Sequence, residues 1–237
     1  MKLTGTATFN LDLGDIIEEA YERCGSEVRS GYDFRTARRS LNLLTIEWAN
    51  RGINLWTIEE GVIPLVSGQI TYDLPVDTID LLDHVIRTGS GSTQTDINIS
   101  RISASTYATI PNKNATGRPV QIWIDRQSGA TNADDTVQSP QVNLYPAPNQ
   151  TGYYLVYWRL RRLQDVGNAV NGQDIPFRLL NALIAGLAYY VYQKQVTIDP
   201  NRLSMLQNDY AGQLDIALQE DREKASFRAV PRVGYGY

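Results

Sequence analysis

The sequence is short of the residues that carry chemistry. Among 237 residues it has one cysteine, Cys24, and one histidine, His84. A lone cysteine closes no intrachain disulfide, which agrees with an intracellular assembly site. One Cys and one His do not make up the three or four Cys, His or acidic ligands of a zinc centre. A Ser-His-Asp relay needs its imidazole within reach of both a nucleophile and an orienting acid. His84 sits in "IDLLDHVIR", where the adjacent Asp83 points to the opposite face of a strand. A structural role for His84 is expected, and no catalytic, metal-binding or cofactor-binding residue is assigned.

A basic excess is also missing. Lys and Arg number 22 against 26 Asp and Glu, a formal charge of −4. Strong non-specific binding to nucleic acid would have to come from a local patch. No long apolar run is present: "LIAGLAYYVY" (183–192) is about half a membrane span. "MKLTGTATFNLDLGDII" has no apolar core of signal-peptide length. The expectation is a soluble protein made in the cytoplasm, without a membrane partner. The glycine-rich "TGSGST" (88–93) is followed by no Walker Lys-Ser/Thr and reads as a loop tip. "NADD" (132–135) lacks the spacing and terminal Glu of a calcium loop and reads as a solvated turn.

What is there is periodicity, in a chain long enough for one large or two small domains. Leu13, Ile16, Ile17, Ala20, Tyr21 and Cys24 predict a first helix, capped by Asp12 and ended by Gly25. Phe34, Ala37, Leu41, Leu44 and Trp48 predict a second, with Asp33 as cap and Gly52 past its end. The period then changes. "EEGVIPLVSGQITYDLP" predicts two strands joined at Ser67-Gly68, and residues 79–87 and 118–126 predict further strands. "QVNLY" and "YYLVYWRLRR" are expected to pair across "PAPNQTG". Helices return, one with Asp174 as cap, Pro176 in its first turn and a Phe177, Leu180, Ile184, Leu187, Val191 face. The last has Asp199 as cap, Pro200 at N1 and a Leu203, Leu206, Tyr210, Leu214, Leu218 stripe.

Each helix has one apolar stripe that it cannot bury alone. The expected fold is therefore α+β. The N- and C-terminal helix pairs (1–57 and 174–225) form a four-helix bundle, an antiparallel β domain (58–173) is inserted, and residues 226–237 form an extended arm.

Four stretches together resemble the head-to-tail adaptor proteins of short-tailed bacteriophages, the tubular tail A protein family. They are "ARRSLNLLTIEWANRGINLWTIEEGVIPLVSGQITYDLP", "RPVQIWIDR", "VNLYPAPNQTGYYLVYWRLRRLQD" and "IPFRLLNALIAGLAYYVYQKQ". The shared pattern is a long helix ending in Arg-Gly, a strand opening with Glu-Glu-Gly, and a Tyr-Pro turn feeding an aromatic strand. Loops 88–100 and 128–140 lie outside it. The resemblance implies a virion protein that forms a ring of twelve copies beneath the portal protein. Such a ring extends the DNA channel and offers a platform to the downstream tail (nozzle) protein. Double-stranded DNA would pass through without specific binding, since a net negative ring repels it.

Candidate contact residues follow. Arg35, Arg38 and Arg39 form one positive edge of the second helix. It suits either DNA phosphate or acids of a neighbouring helix or subunit, and in an acidic chain the acids are favoured. In "YYLVYWRLRR", Tyr154, Val156, Trp158 and Leu160 share the more apolar face and are expected in the core. Tyr153, Tyr157 and Arg159 are expected on a protein-facing surface, since Tyr and Arg are favoured at interfaces. The alternative function is a binding module for carbohydrate or peptide, with Trp123, Tyr153 and Tyr157 as its platform.

The C-terminal stretch is aromatic and basic, and Pro231, Gly234 and Gly236 oppose regular structure in it. The related adaptors send a C-terminal extension onto the portal. By that resemblance Phe227, Tyr235 and Tyr237 are expected anchors, with Arg228 and Arg232 meeting acidic portal side chains.

Overall fold

The computed structural model describes residues 9–126, 138–164 and 174–222. In chain order, α1 (Leu13–Cys24) and α2 (Gly31–Arg51) lead into ten strands, with a short α3 (Ala104–Ala108) among them. Helices α4 (Leu180–Tyr192) and α5 (Pro200–Glu220) follow. The chain folds as two compact units: one holds the chain up to Leu55 and the C-terminal helices, the other runs from Trp56 to Gln164.

In the helical unit, α1 begins with a reciprocal box in which Asp12 and Asp15 each accept the other's backbone N–H, and it ends on left-handed Gly25. For α2 the box is made by Ser30 and Asp33, so Ser30 is the cap and Asp33 is the third helical residue. The expected Asp33 cap is corrected by one turn. All six apolar positions predicted for α1 are buried, and α2 buries Ala37, Leu41, Leu44 and Trp48.

Helix α4 differs from expectation in two ways. Its first turn is a 3-10 turn, Phe177–Leu179, with Pro176 rather than Asp174 at the cap position. It is also apolar nearly all round: Ala182, Leu183, Ala185 and Ala188 are buried as well as the predicted face, while Phe177 is exposed. The reason is its surroundings, for α1, α2 and α5 all pack on it. Gly186 makes this approach possible. A Cβ there would lie 2.8 Å from Leu44 Cδ2 and 2.8 Å from Tyr210 Cε2. Asp199 caps α5 and Pro200 sits at its start; Leu206, Tyr210, Leu214 and Ala217 are buried. At its far end, the Asp221 carboxylate accepts the Asn54 N–H at 2.7 Å.

The β unit contains two four-stranded sheets and a small two-stranded one. The strands are β1 (Ile58–Pro64), β2 (Thr71–Asp73), β3 (Thr78–Thr88), β4 (Thr95–Asn98), β5 (Ser100–Arg101), β6 (Thr116–Gly117), β7 (Gln121–Asp125), β8 (Gln141–Tyr145), β9 (Ala147–Pro148) and β10 (Tyr153–Arg161). The first sheet runs β1-β10-β3-β4 and the second β2-β8-β7-β5, with β6 beside β9. Pairing is antiparallel except for β5 with β7 and β6 with β9.

Two expected hairpins do not form. β1 pairs with β10 whereas β2 pairs with β8, and β8 and β10 lie in different sheets. Pro146 and Pro148 have no N–H to extend the β8 ladder. The chain has changed sheets by the time pairing resumes at Tyr153. Inward residues of both sheets, among them Tyr72, Leu81, Ile86, Ile122, Val142, Leu144 and Leu155, form one apolar core.

Candidate functional site

The candidate contact residues of the helical unit lie on α2. Asp33 and Glu47, its two acids, are both engaged within the unit. Asp33 closes the capping box. Glu47 is paired with Arg51 at 2.6 Å and accepts the Tyr190 hydroxyl at 2.6 Å. The Trp48 indole N–H in turn donates to the Tyr210 hydroxyl at 3.3 Å. Burial, then the neighbouring Glu47, pushes Tyr190 above the ordinary phenol range, and burial takes Tyr210 up to about 12. Glu47 is therefore a hub joining α2 to α4 and α5.

The arginines remain at the surface. Arg39 is exposed and Arg38 half-buried. The Arg39 guanidinium donates to Thr36 Oγ1 at 3.4 Å, and Arg35 Nε donates to the Gly31 carbonyl at 3.2 Å. Beside them is an open cleft of about 800 Å³ whose lining includes Tyr21, Tyr32, Arg39, Leu43 and Lys194. Lys194 donates to Ser40 Oγ at 2.7 Å. Partial burial and the nearby Arg39 lower its pKa.

In the β unit the expected surface of β10 is corrected. Tyr157 is only 4% exposed and belongs to the core, with Tyr153 packed against the same cluster. The two faces of the strand were grouped correctly, but the less apolar one points inward. Two features make room for it. Gly61 stands directly across from Tyr157 in the β1–β10 register. A Cβ at Gly61 would lie 2.3 Å from Tyr157 Cζ, so the phenol ring occupies the space a side chain would take. At the charged end, Arg159 pairs with Glu59 at 2.8 Å and also with Asp77; Arg161 pairs with Glu59 at 2.6 Å. These ion pairs neutralise the arginines of the inward face. On the opposite face Tyr154 is 40% exposed, while Val156 is buried.

The aromatic platform of the alternative reading is not assembled either. Trp123 stacks on Tyr107 of α3 with centroids 5.0 Å apart, and Lys113 lies over the Tyr107 ring. Tyr153 and Tyr157 pack instead into the core. His84 faces Tyr157 across the β3–β10 register. Among the described residues neither ring nitrogen makes a well-formed hydrogen bond. Burial first, then Arg101, lowers its pKa, which favours the neutral imidazole.

Among the described residues no group of three or more His, Cys, Asp or Glu side chains is placed to hold a metal ion. No helix there is long and apolar enough to cross a membrane. Phe227, Arg228, Arg232, Tyr235 and Tyr237 lie outside the described residues, as does the "NADD" turn.

No curated protein matches the chain. A family model does, however, and it spans the helices and the sheets alike: residues 11–232 match the SU10 adaptor protein family. The chain accordingly belongs to that family, the structural adaptor proteins of bacteriophage virions.

Proposed function

We propose that this chain is the head-to-tail adaptor of its phage, a structural and non-catalytic part of the connector. Twelve copies form a ring under the portal protein, extend the DNA channel and present a docking platform to the tail. The four long helices act as a bundle that carries the ring contacts. The C-terminal arm, through Phe227, Arg228, Arg232, Tyr235 and Tyr237, reaches the portal. Double-stranded DNA passes through without specific binding, since each chain adds a formal −4 to the ring.

The observation that carries this reading is the extent of the family match, from residue 11 to 232. It takes in both folded units, so the whole chain and not one grafted module is adaptor-like. The test is assembly of phage particles without this chain. Heads that fill with DNA but leak it and bind no tail, and that recover when the purified chain is added, are expected. Tails attaching normally in its absence would overturn the proposal.

A further inference from the structure

The helix α2 has a second face. Tyr32, Arg35, Arg39, Leu43 and Ile46 are all exposed. Their 3-4-4-3 spacing puts them on one side of the helix, opposite Ala37, Leu41, Leu44 and Trp48. Tyr32, Leu43 and Ile46 are 64%, 54% and 47% exposed, which is unusual for three large apolar side chains on one helix face. The stripe is aromatic and basic in its first half and aliphatic in its second.

The helix α5 has a matching face of opposite charge. Met205, Asp209, Gly212, Ile216 and Gln219 are exposed at 4-3-4-3 spacing, opposite the buried Leu206, Tyr210, Leu214 and Ala217. Asn208 and Asp215 flank the stripe. Among the described residues Asp209 has a single long ion contact, to Arg23 at 3.8 Å, and Asp215 accepts the Gln219 amide. The sole basic residue of α5, Arg202, turns instead toward the Arg23 carbonyl.

Gly212 sits near the middle of this stripe. A glycine inside a helix costs up to about 1 kcal/mol relative to alanine. Nothing among the described residues requires it, for a Cβ there would meet none of their atoms within 4 Å. A small residue on an open helix face lets a second helix come close.

We infer that the outer face of α2 docks on the outer face of α5 of a second copy of this chain, in antiparallel order. Each stripe is about 21 Å long, roughly fourteen helical rises. Antiparallel docking sets Ile46 near Met205, Leu43 near Asn208 and Asp209, Arg39 over Gly212, and Arg35 near Asp215 and Ile216. Two different faces of one chain meet, so the contact is heterologous and propagates from copy to copy rather than stopping at a dimer, making a ring where the rotation closes. This deepens the adaptor proposal and rests on it.

The test is the mass of the full chain in solution and on isolated portal rings. Arg35→Glu with Arg39→Glu, and separately Asp209→Arg with Asp215→Arg, each raise the concentration for half-assembly at least tenfold. All four changes together restore assembly, which a misfolded variant would not do. Gly212→Leu blocks assembly while the monomer unfolds at the same or a higher urea concentration. Assembly unchanged in the α2 or α5 variants while wild type forms rings overturns this interface and leaves the adaptor reading standing. A quadruple variant that stays monomeric also overturns it. A wild-type chain that stays monomeric even on portal rings sinks the adaptor reading, and the interface with it.

Discussion

Substituting Gly61 with alanine isolates the contact that turned β10 inward. The new Cβ would lie 2.3, 2.5 and 2.6 Å from Tyr157 Cζ, Oη and Cε2. Carbon contacts relax near 3.5–4.0 Å, so the ring must retreat by roughly 1.2–1.7 Å within a packed core. Overpacking of this kind costs about 1–3 kcal/mol. Against it, alanine in a strand regains about 0.5–1 kcal/mol of backbone entropy relative to glycine. The net effect is a destabilisation of up to about 2.5 kcal/mol. The sharper statement is the coupling: in a Tyr157→Leu background the clash is gone, and Gly61→Ala becomes neutral or stabilising. Urea unfolding followed by far-UV circular dichroism and tryptophan fluorescence reads both cycles. An equal cost for Gly61→Ala in the two backgrounds would show that Tyr157 does not fill this space, and would refute the reasoning.

Three further outcomes are expected. Gly186→Leu drives a side chain into Leu44 and Tyr210, already 2.8 Å from a bare Cβ; it lowers the unfolding free energy by about 2 kcal/mol or more, measured by urea titration. Arg159→Met removes one of the two arginines paired with Glu59 and the arginine paired with Asp77; these acids are partly exposed, so the cost is about 1–2 kcal/mol and shrinks on adding salt, as a salt series of melts would record. Stability falls on the alkaline side: burial holds Cys24 up at about 11, and Tyr21 and Tyr210 at about 12, against ordinary values of 9.0 and 10.0. A raised native pKa means the unfolded chain loses these protons first. Their contribution is whole below pH 9 and drains away between pH 9 and 12, and melts across that range show a steady fall rather than a plateau.

Much of the helical unit was legible because its signals are local. The caps at Asp12 and Asp199 and the left-handed ends at Gly25 and Gly52 are written within a few residues of each helix end. Asp33 misled because it belongs to a box whose other half, Ser30, lies three residues earlier. The burial of α4 on nearly all sides depends on three other helices, which its own period does not report. The β unit was harder, since pairing between sheets is a long-range property. Strand existence was readable, but partners were assigned by proximity in sequence, and the chain changes sheets where hairpins were expected.

The inward turn of Tyr157 follows the same logic. Counting apolar residues per face selects Tyr154, Val156, Trp158 and Leu160. What decides the outcome is Gly61 across the ladder, with Glu59 and Asp77 beside the arginines. Those acids were visible in the sequence; their position beside β10 was not. Arg38 and Arg39 were chosen as a pair, whereas the exposed stripe includes Arg39 and Arg35, together with Leu43 and Ile46.

Electron cryo-microscopy of the intact virion tests the proposed placement in the connector. A closed ring of twelve copies between portal and tail, surrounding the DNA, with α2 of each copy against α5 of the next, is the expected result. Density that places the chain elsewhere in the particle, or a portal joined to the tail with no copy between them, would contradict it.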